Sequence, residues 1–182
     1  MSAAAAPLPA AERTALLGMV MFIASWAVLF AALFFAYGAL RLRAPLWPPS
    51  DLPRLPVLLP AGGTVLLGLS SALLWRTRGR ASAVALAALL GLGFLAVQLA
   101  VWRQLIDAGL RPSHGPYPSV FFGLTMFHAL HVLVGLVALA ALAGAAALRR
   151  RLVSALPLRL WTLYWHMVGA VWLVMFVAVY LL

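Results

Sequence analysis

Cysteine and lysine are both missing from this 182-residue chain, and acidic residues are scarce: Glu12, Asp51 and Asp107 are its only side-chain carboxylates. The lack of cysteine excludes disulfides, thiolate metal sites and a cysteine nucleophile. All three carboxylates lie outside the long apolar runs, and no arginine falls in the middle of one. Proton-driven pumps and transporters normally carry an intramembrane ionisable relay, so a transporter working alone is disfavoured. Charged residues make up only 9% of the chain against 66% hydrophobic. A soluble domain is about half apolar and about a quarter charged, which excludes that class. The net charge of +10 comes from arginines set between apolar segments. They read as topology and headgroup contacts rather than a nucleic-acid surface.

What is present is length of apolar sequence. A spanning helix needs roughly 20 such residues, and five runs qualify, at about 14–40, 57–75, 81–102, 118–148 and 158–182. None shows the short alternating pattern of a membrane barrel strand. The expected fold is all-α, a polytopic membrane protein whose five transmembrane helices form one domain over 14–182. An Ala/Pro-rich tail over 1–13 is expected to be disordered. The first connection holds five prolines and cannot be helical throughout. RTRGR reads as a tight hairpin, and RQLIDAGLRPSHGPYP as a polar loop. The fourth run exceeds one crossing, which predicts tilt or projection from the bilayer. Eight arginines fall on the side of the N-terminus (Arg13, Arg76, Arg78, Arg80, Arg149, Arg150, Arg151, Arg159) and five on the other. That bias predicts a cytoplasmic N-terminus and an external C-terminus.

Two histidines stand inside the fourth run, in FFGLTMFHALHVLVGL. At 100° per residue His128 and His131 share a face with Thr125 and Gly135. Hydrogen-bonding and small residues mark helix–helix contacts in membranes, so this face should turn toward protein. Haem takes its two axial ligands from opposite sides, which an i, i+3 pair on one helix cannot supply; His166 on the fifth run is the only other intramembrane histidine. Metal sites in helical bundles draw carboxylates from several helices, and none is available. The favoured reading is an interhelical cluster of neutral histidines, with Gln98 or a backbone carbonyl as partner. Gly68-Leu69-Ser70 faintly resembles a nucleophile setting, but Thr64, Gly68 and Ala72 recur every four residues and read more simply as a packing stripe. In the fifth run Trp161 and Tyr180 suit interfacial belts, Trp172 lies deeper, and His166 and Gly169 share a second polar-and-small face.

Together these segments resemble subunit III of the haem-copper oxidases, the terminal respiratory oxidases, over most of the chain. GMVMFIASWAVLFAALFFAY is similar to the family's Gly-Met-x-Leu-Phe-Ile-x-Ser-Glu helix, and WPP with LPAGGTVLLGLSSALLW to its Trp-Pro-Pro loop and next helix. Gln98 matches a third-helix glutamine. FFGLTMFHALHVLVGL resembles Phe-Phe-x-x-Thr-Gly-Phe-His-Gly-x-His-Val-x-x-Gly, the most specific stretch, and YWHMVGAVWLVMF resembles the Tyr-Trp-His-Phe-Val-Asp-x-Val-Trp ending. The chain looks like the family's five-helix form rather than its seven-helix one. Three family carboxylate positions are occupied here by Trp26, Val101 and Gly169, so a proton-uptake role for the first of these does not carry over.

The resemblance implies a non-catalytic subunit of a proton-pumping oxidase in a bacterial cytoplasmic membrane. It would stabilise subunit I, sit in a complex with subunit II, and bind phospholipid. The haems and copper would belong to the partner subunits, and no nucleic acid is involved. The alternatives are a homologous accessory subunit of a nitric oxide reductase, or an orphan transporter or assembly factor. The correctly folded, isolated chain is expected to bind neither haem nor copper. A stoichiometric Soret band in its absorption spectrum would overturn that expectation.

Overall fold

The computed structural model describes residues 9–50 and 52–182. Five helices in it are long and apolar enough to cross a membrane: α1 (Ala10–Arg43), α2 (Leu58–Arg76), α3 (Ala81–Asp107), α4 (Pro116–Leu148) and α5 (Ala155–Met175). The chain of α5 continues through a π-helical turn over Phe176–Leu181.

Helix ends depart from the apolar boundaries where good helix formers or specific caps extend them. Residues 10–13, expected to belong to the tail, are the opening turn of α1 behind Pro9; residues 1–8 lie outside the described residues, as does Asp51. Helix α3 runs on past Trp102 through Arg103-Gln104-Leu105-Ile106 to Asp107. It stops at Gly109, whose φ of +91° is readily open only to glycine. The Leu110 and Gly109 amides then close back on the Leu105 and Ile106 carbonyls at 2.8 and 3.0 Å, the Schellman arrangement. Helix α4 begins at Pro116, with proline in its first turn. Its 33 residues extend about 50 Å, well beyond a single hydrocarbon core.

Helices α2, α3, α4 and α5 form a ring in which each packs on the next and α5 returns to α2, while α1 lies outside against α4 and α5. The packing face of α3 reads Val84, Ala87, Gly91, Phe94, Gln98, Val101 and Leu105, every one buried. These steps of three and four are the inward stripe of a helix. Helix α4 has the longest roster of buried residues and α1 has two, Phe30 and Tyr37. What fastens α1 is a run of aromatic residues four apart. Phe22 stacks on Tyr164 at 5.9 Å, Trp26 meets His131 at 3.9 Å, and Phe30 meets His131 at 5.1 Å.

The centre of the ring is the indole of Trp165, which is fully buried. Gly91 on α3 and Gly135 on α4 let it in from two sides. A Cβ on Gly91 would stand 2.6 Å from Cη2 and Cζ2 of that ring, and one on Gly135 would stand 2.6 Å from Cε3. The stripe expected at Thr64, Gly68 and Ala72 is not a helix–helix contact of this kind. A Cβ on Gly68 would meet nothing within 4 Å, and the face of α2 that is buried carries Gly63, Leu67, Ser70 and Leu74.

Gly91→Ala and Gly135→Ala should each lower the unfolding midpoint in detergent, by the equivalent of about 1–3 kcal/mol for overpacking a tight interior. Gly18→Ala, whose added Cβ meets nothing within 4 Å, should leave it unchanged or raise it. Equal behaviour of the three variants in circular-dichroism melts would contradict this account of the core.

Candidate functional site

The interior polar groups are used mainly to join helices. An indole N–H is a donor with no acceptor of its own, and each of four tryptophans gives it to a hydroxyl that in turn donates to a backbone carbonyl. Trp165 Nε1 donates to Ser70 Oγ at 3.0 Å, and Ser70 donates to the Ala87 carbonyl at 2.7 Å, joining α5, α2 and α3. Trp172 donates to Thr64 Oγ1 at 2.8 Å, and Thr64 to the Pro60 carbonyl at 2.8 Å. Trp102 donates to Thr125 Oγ1 at 3.0 Å, and Thr125 to the Phe121 carbonyl at 2.8 Å. Trp47, in the proline-rich connection, donates to Tyr37 Oη at 3.3 Å, and Tyr37 to the Ala178 carbonyl at 3.2 Å. A hydroxyl suits this position because it accepts and donates at once, so no buried group is left short. Ser70 is thus occupied on both sides and fully buried, which leaves no nucleophile where Gly-x-Ser had suggested one.

Thr125, His128, His131 and Gly135 are all buried, yet they do not form one cluster. His128 Nε2 pairs with the Val168 carbonyl of α5 at 3.1 Å, its ring lying against Phe94 and Trp172. His131 turns toward α1. Its Nδ1 pairs with the Phe127 carbonyl, one turn back on its own helix, at 2.5 Å. Since a carbonyl only accepts, Nδ1 carries the proton and Nε2 is left as an acceptor. Nε2 is buried without a partner, and so is the indole N–H of the adjacent Trp26. Gln98 is partner to neither histidine. Its side chain faces the Tyr180 hydroxyl instead, and neither the Gln98 amide nitrogen nor that hydroxyl closes to full hydrogen-bond geometry with a partner. Between the two alternatives weighed for the imidazoles, the backbone carbonyl is the one used.

His166 stands apart, half-buried and tilted against Trp75 of α2 at 6.0 Å. It lines the same cleft as Gly169, the position where a family carboxylate is replaced. Val101 is fully buried in α3. Among the described residues no three of histidine, cysteine, aspartate and glutamate converge as metal ligands. The donor set does not suit haem or copper either: one nitrogen of His128 faces a carbonyl, and the free nitrogen of His131 is enclosed by α1. Sequence reasoning overlooked the tryptophan–hydroxyl relays. The signal was present, because each intramembrane tryptophan needs an acceptor, but sequence spacing does not pair residues 95 or 108 positions apart.

Comparison with known proteins gives a consistent result. The family model of cytochrome c oxidase subunit III matches residues 8–182. Cytochrome c oxidase subunit 3 of Synechocystis sp. is 32% identical over 176 residues, covering 91% of this chain and 74% of the relative. The probable cytochrome c oxidase subunit 3 of Mycobacterium leprae is 31% identical over 172 residues, covering 90% and 85%. That of Danio rerio is 31% identical over 195 residues, covering 94% and 71%.

The two histidines should differ in how much they stabilise the bundle. His128→Leu removes a bond between helices and should cost about 1 kcal/mol, the usual scale of such bonds in a membrane. His131→Leu removes a bond within one helix and relieves an unpaired acceptor, so it should cost less. Unfolding in mixed micelles measures both, and the reverse order would contradict the assigned geometry.

Proposed function

The chain belongs to the cytochrome c oxidase subunit III family and is a subunit III of a haem-copper oxidase; from that premise we propose that it is non-catalytic and acts as a helical scaffold beside subunit I. The observation that carries this reading is the use of the interior polar groups. Indole, hydroxyl and imidazole groups are largely committed to bonds that hold helices together, an arrangement suited to rigidity rather than to electron or proton transfer. The protein is integral to the membrane and part of a complex with other oxidase subunits.

In this reading the five helices act as one transmembrane domain, with subunits I and II as neighbours and bound phospholipid at the periphery. Thr125, His128, His131, Gly135, Gln98 and His166 serve packing, and Trp26, Val101 and Gly169 stand where other members carry carboxylates. The arginine bias supports a cytoplasmic N-terminus in a bacterial cytoplasmic membrane. The relatives' names point to cytochrome c as the electron donor of the complex, and a nitric oxide reductase is not favoured.

Purification through a tag on this chain, in mild detergent, should bring down a subunit with a haem-copper spectrum and oxygen-reducing activity. Deleting the chain should leave that spectrum in place while shortening the active life of the oxidase during turnover. Loss of the spectrum's catalytic features on point mutation of His128 or His131 in an assembled complex would argue for direct catalysis instead.

A further inference from the structure

Two turns at one end of the bundle place arginine where the backbone favours glycine. Helix α4 closes with the Arg150 and Arg151 amides bonded back to the Ala147 and Ala146 carbonyls, at 3.1 and 3.0 Å. This is the Schellman arrangement, and Arg150 holds its left-handed position at a φ of +48°. Helices α2 and α3 are joined by the turn Thr77-Arg78-Gly79-Arg80, closed by the Arg80 amide on the Thr77 carbonyl at 3.0 Å. Its central residues Arg78 and Gly79 have φ of +45° and +79°, which Asn-Gly and Gly-Gly suit best. Among the described residues, Arg78 and Arg150 are the only non-glycine residues at positive φ. A Cβ is disfavoured there, and such backbone clusters at ligand clamps and switch regions. The two segments are also fixed to each other, because the Val153 amide donates to the Gly79 carbonyl at 2.8 Å.

Six exposed arginines belong to these tied turns: Arg76, Arg78, Arg80, Arg149, Arg150 and Arg151. Like charges so grouped repel one another. The chain has few carboxylates to set against them: Glu12 stands in the first turn of α1, Asp107 at the far end of α3, and Asp51 in the connection after α1. Membrane topology does not explain the placement, since it responds to the number of arginines near helix ends and not to their backbone conformation. A fluid headgroup layer likewise meets flexible side chains wherever they stand. Guanidinium groups on fixed, strained backbone suit a partner whose own charges are held at fixed positions, which is a folded protein surface.

We propose that the tied arginine turns dock an acidic segment of a neighbouring oxidase subunit, with Arg78 and Arg150 as its anchors. Arginine fits such a role because its planar fork pairs with a carboxylate through two parallel hydrogen bonds. The inference rests on the scaffold reading above and deepens it by naming a contact surface and the charge of what it meets.

The test uses the tagged oxidase complex in mild detergent. The double variant Arg78→Gly, Arg150→Gly removes both anchors while glycine accepts the left-handed backbone. The variant chain alone should unfold at the same midpoint as wild type or higher. In the complex it should leave its partners roughly 10-fold faster during a washing step, about threefold per arginine, the scale of exposed ion pairs. Raising the salt should speed the release of the wild-type chain in the same direction. A second measurement exploits the absence of lysine from the chain. Arg78→Lys or Arg150→Lys introduces a unique side-chain amine, which a zero-length carbodiimide should join to an aspartate or glutamate of another subunit, identified by mass spectrometry.

An unchanged release rate, or a clear fall in the unfolding midpoint of the glycine variant, overturns the proposal. So does an introduced amine that couples to no other subunit, or only to lipid headgroups, which would assign this end to the membrane surface. The haem spectrum of the wild-type preparation separates these outcomes from the broader reading. No haem-copper partner at low salt overturns both, whereas a haem-copper partner held equally well by the glycine variant removes the docking surface alone.

Discussion

Trp165 is the side chain on which the four-helix ring depends. Its indole is wedged between glycines of α3 and α4 and hydrogen-bonded to a serine of α2, so one side chain of α5 sets its distance to all three neighbours. Apolar side chains give little drive for association in lipid, because the surrounding chains are equally apolar. Close packing and interhelical hydrogen bonds must supply the difference. A large flat ring with one donor satisfies both, provided that small residues make room and an acceptor waits at the far side. Gly91, Gly135 and Ser70 are those provisions, and Ser70 passes the bond on to the Ala87 carbonyl.

The same solution recurs along the bundle at Trp172–Thr64, Trp102–Thr125 and Trp47–Tyr37. Each joins a rigid donor to a hydroxyl whose own proton is absorbed by a backbone carbonyl. Carboxylates are therefore unnecessary inside this bundle, which fits their absence from the long apolar runs, Glu12 and Asp107 standing at helix ends. The unpaired groups are the counterpart. Trp26 and His131 lie together with the indole N–H and the imidazole Nε2 both unpaired, as are two further buried atoms on Gln98 and Tyr180. Where the resemblance places a glutamate, the indole of Trp26 fills the space against His131 but leaves the imidazole acceptor without a donor. Aromatic contact, rather than a hydrogen bond, is what joins α1 to α4 at that level.

Much of the fold was legible because hydropathy reports depth. Five runs long enough to cross gave five helices, and two histidines in such a run had to face protein. The ends were less legible: α3 continues to Asp107 because arginine, glutamine and leucine sustain a helix beyond the apolar boundary, and only Gly109 stops it. The four-residue repeat of Thr64, Gly68 and Ala72 was a true periodicity given the wrong surroundings. Thr64 meets Trp172 of α5, but Gly68 lines an open furrow and Ala72 is exposed, while the buried face of α2 is rotated toward Gly63, Leu67, Ser70 and Leu74.

The sequence by itself determined the number of spans, their order, the polar face of α4 and the family to which the chain belongs. Those follow from composition and short motifs, which are local properties. Only the tertiary structure decided that His128 turns to α5 and His131 to α1, that Trp165 sits between two glycines, and that His166 opens onto a furrow rather than the interior. The physical reason is that helices apolar on nearly every side carry almost no signal of their rotation. Which neighbour each polar group meets depends on how the helices are turned and ordered, and that is settled by packing across residues far apart in the chain.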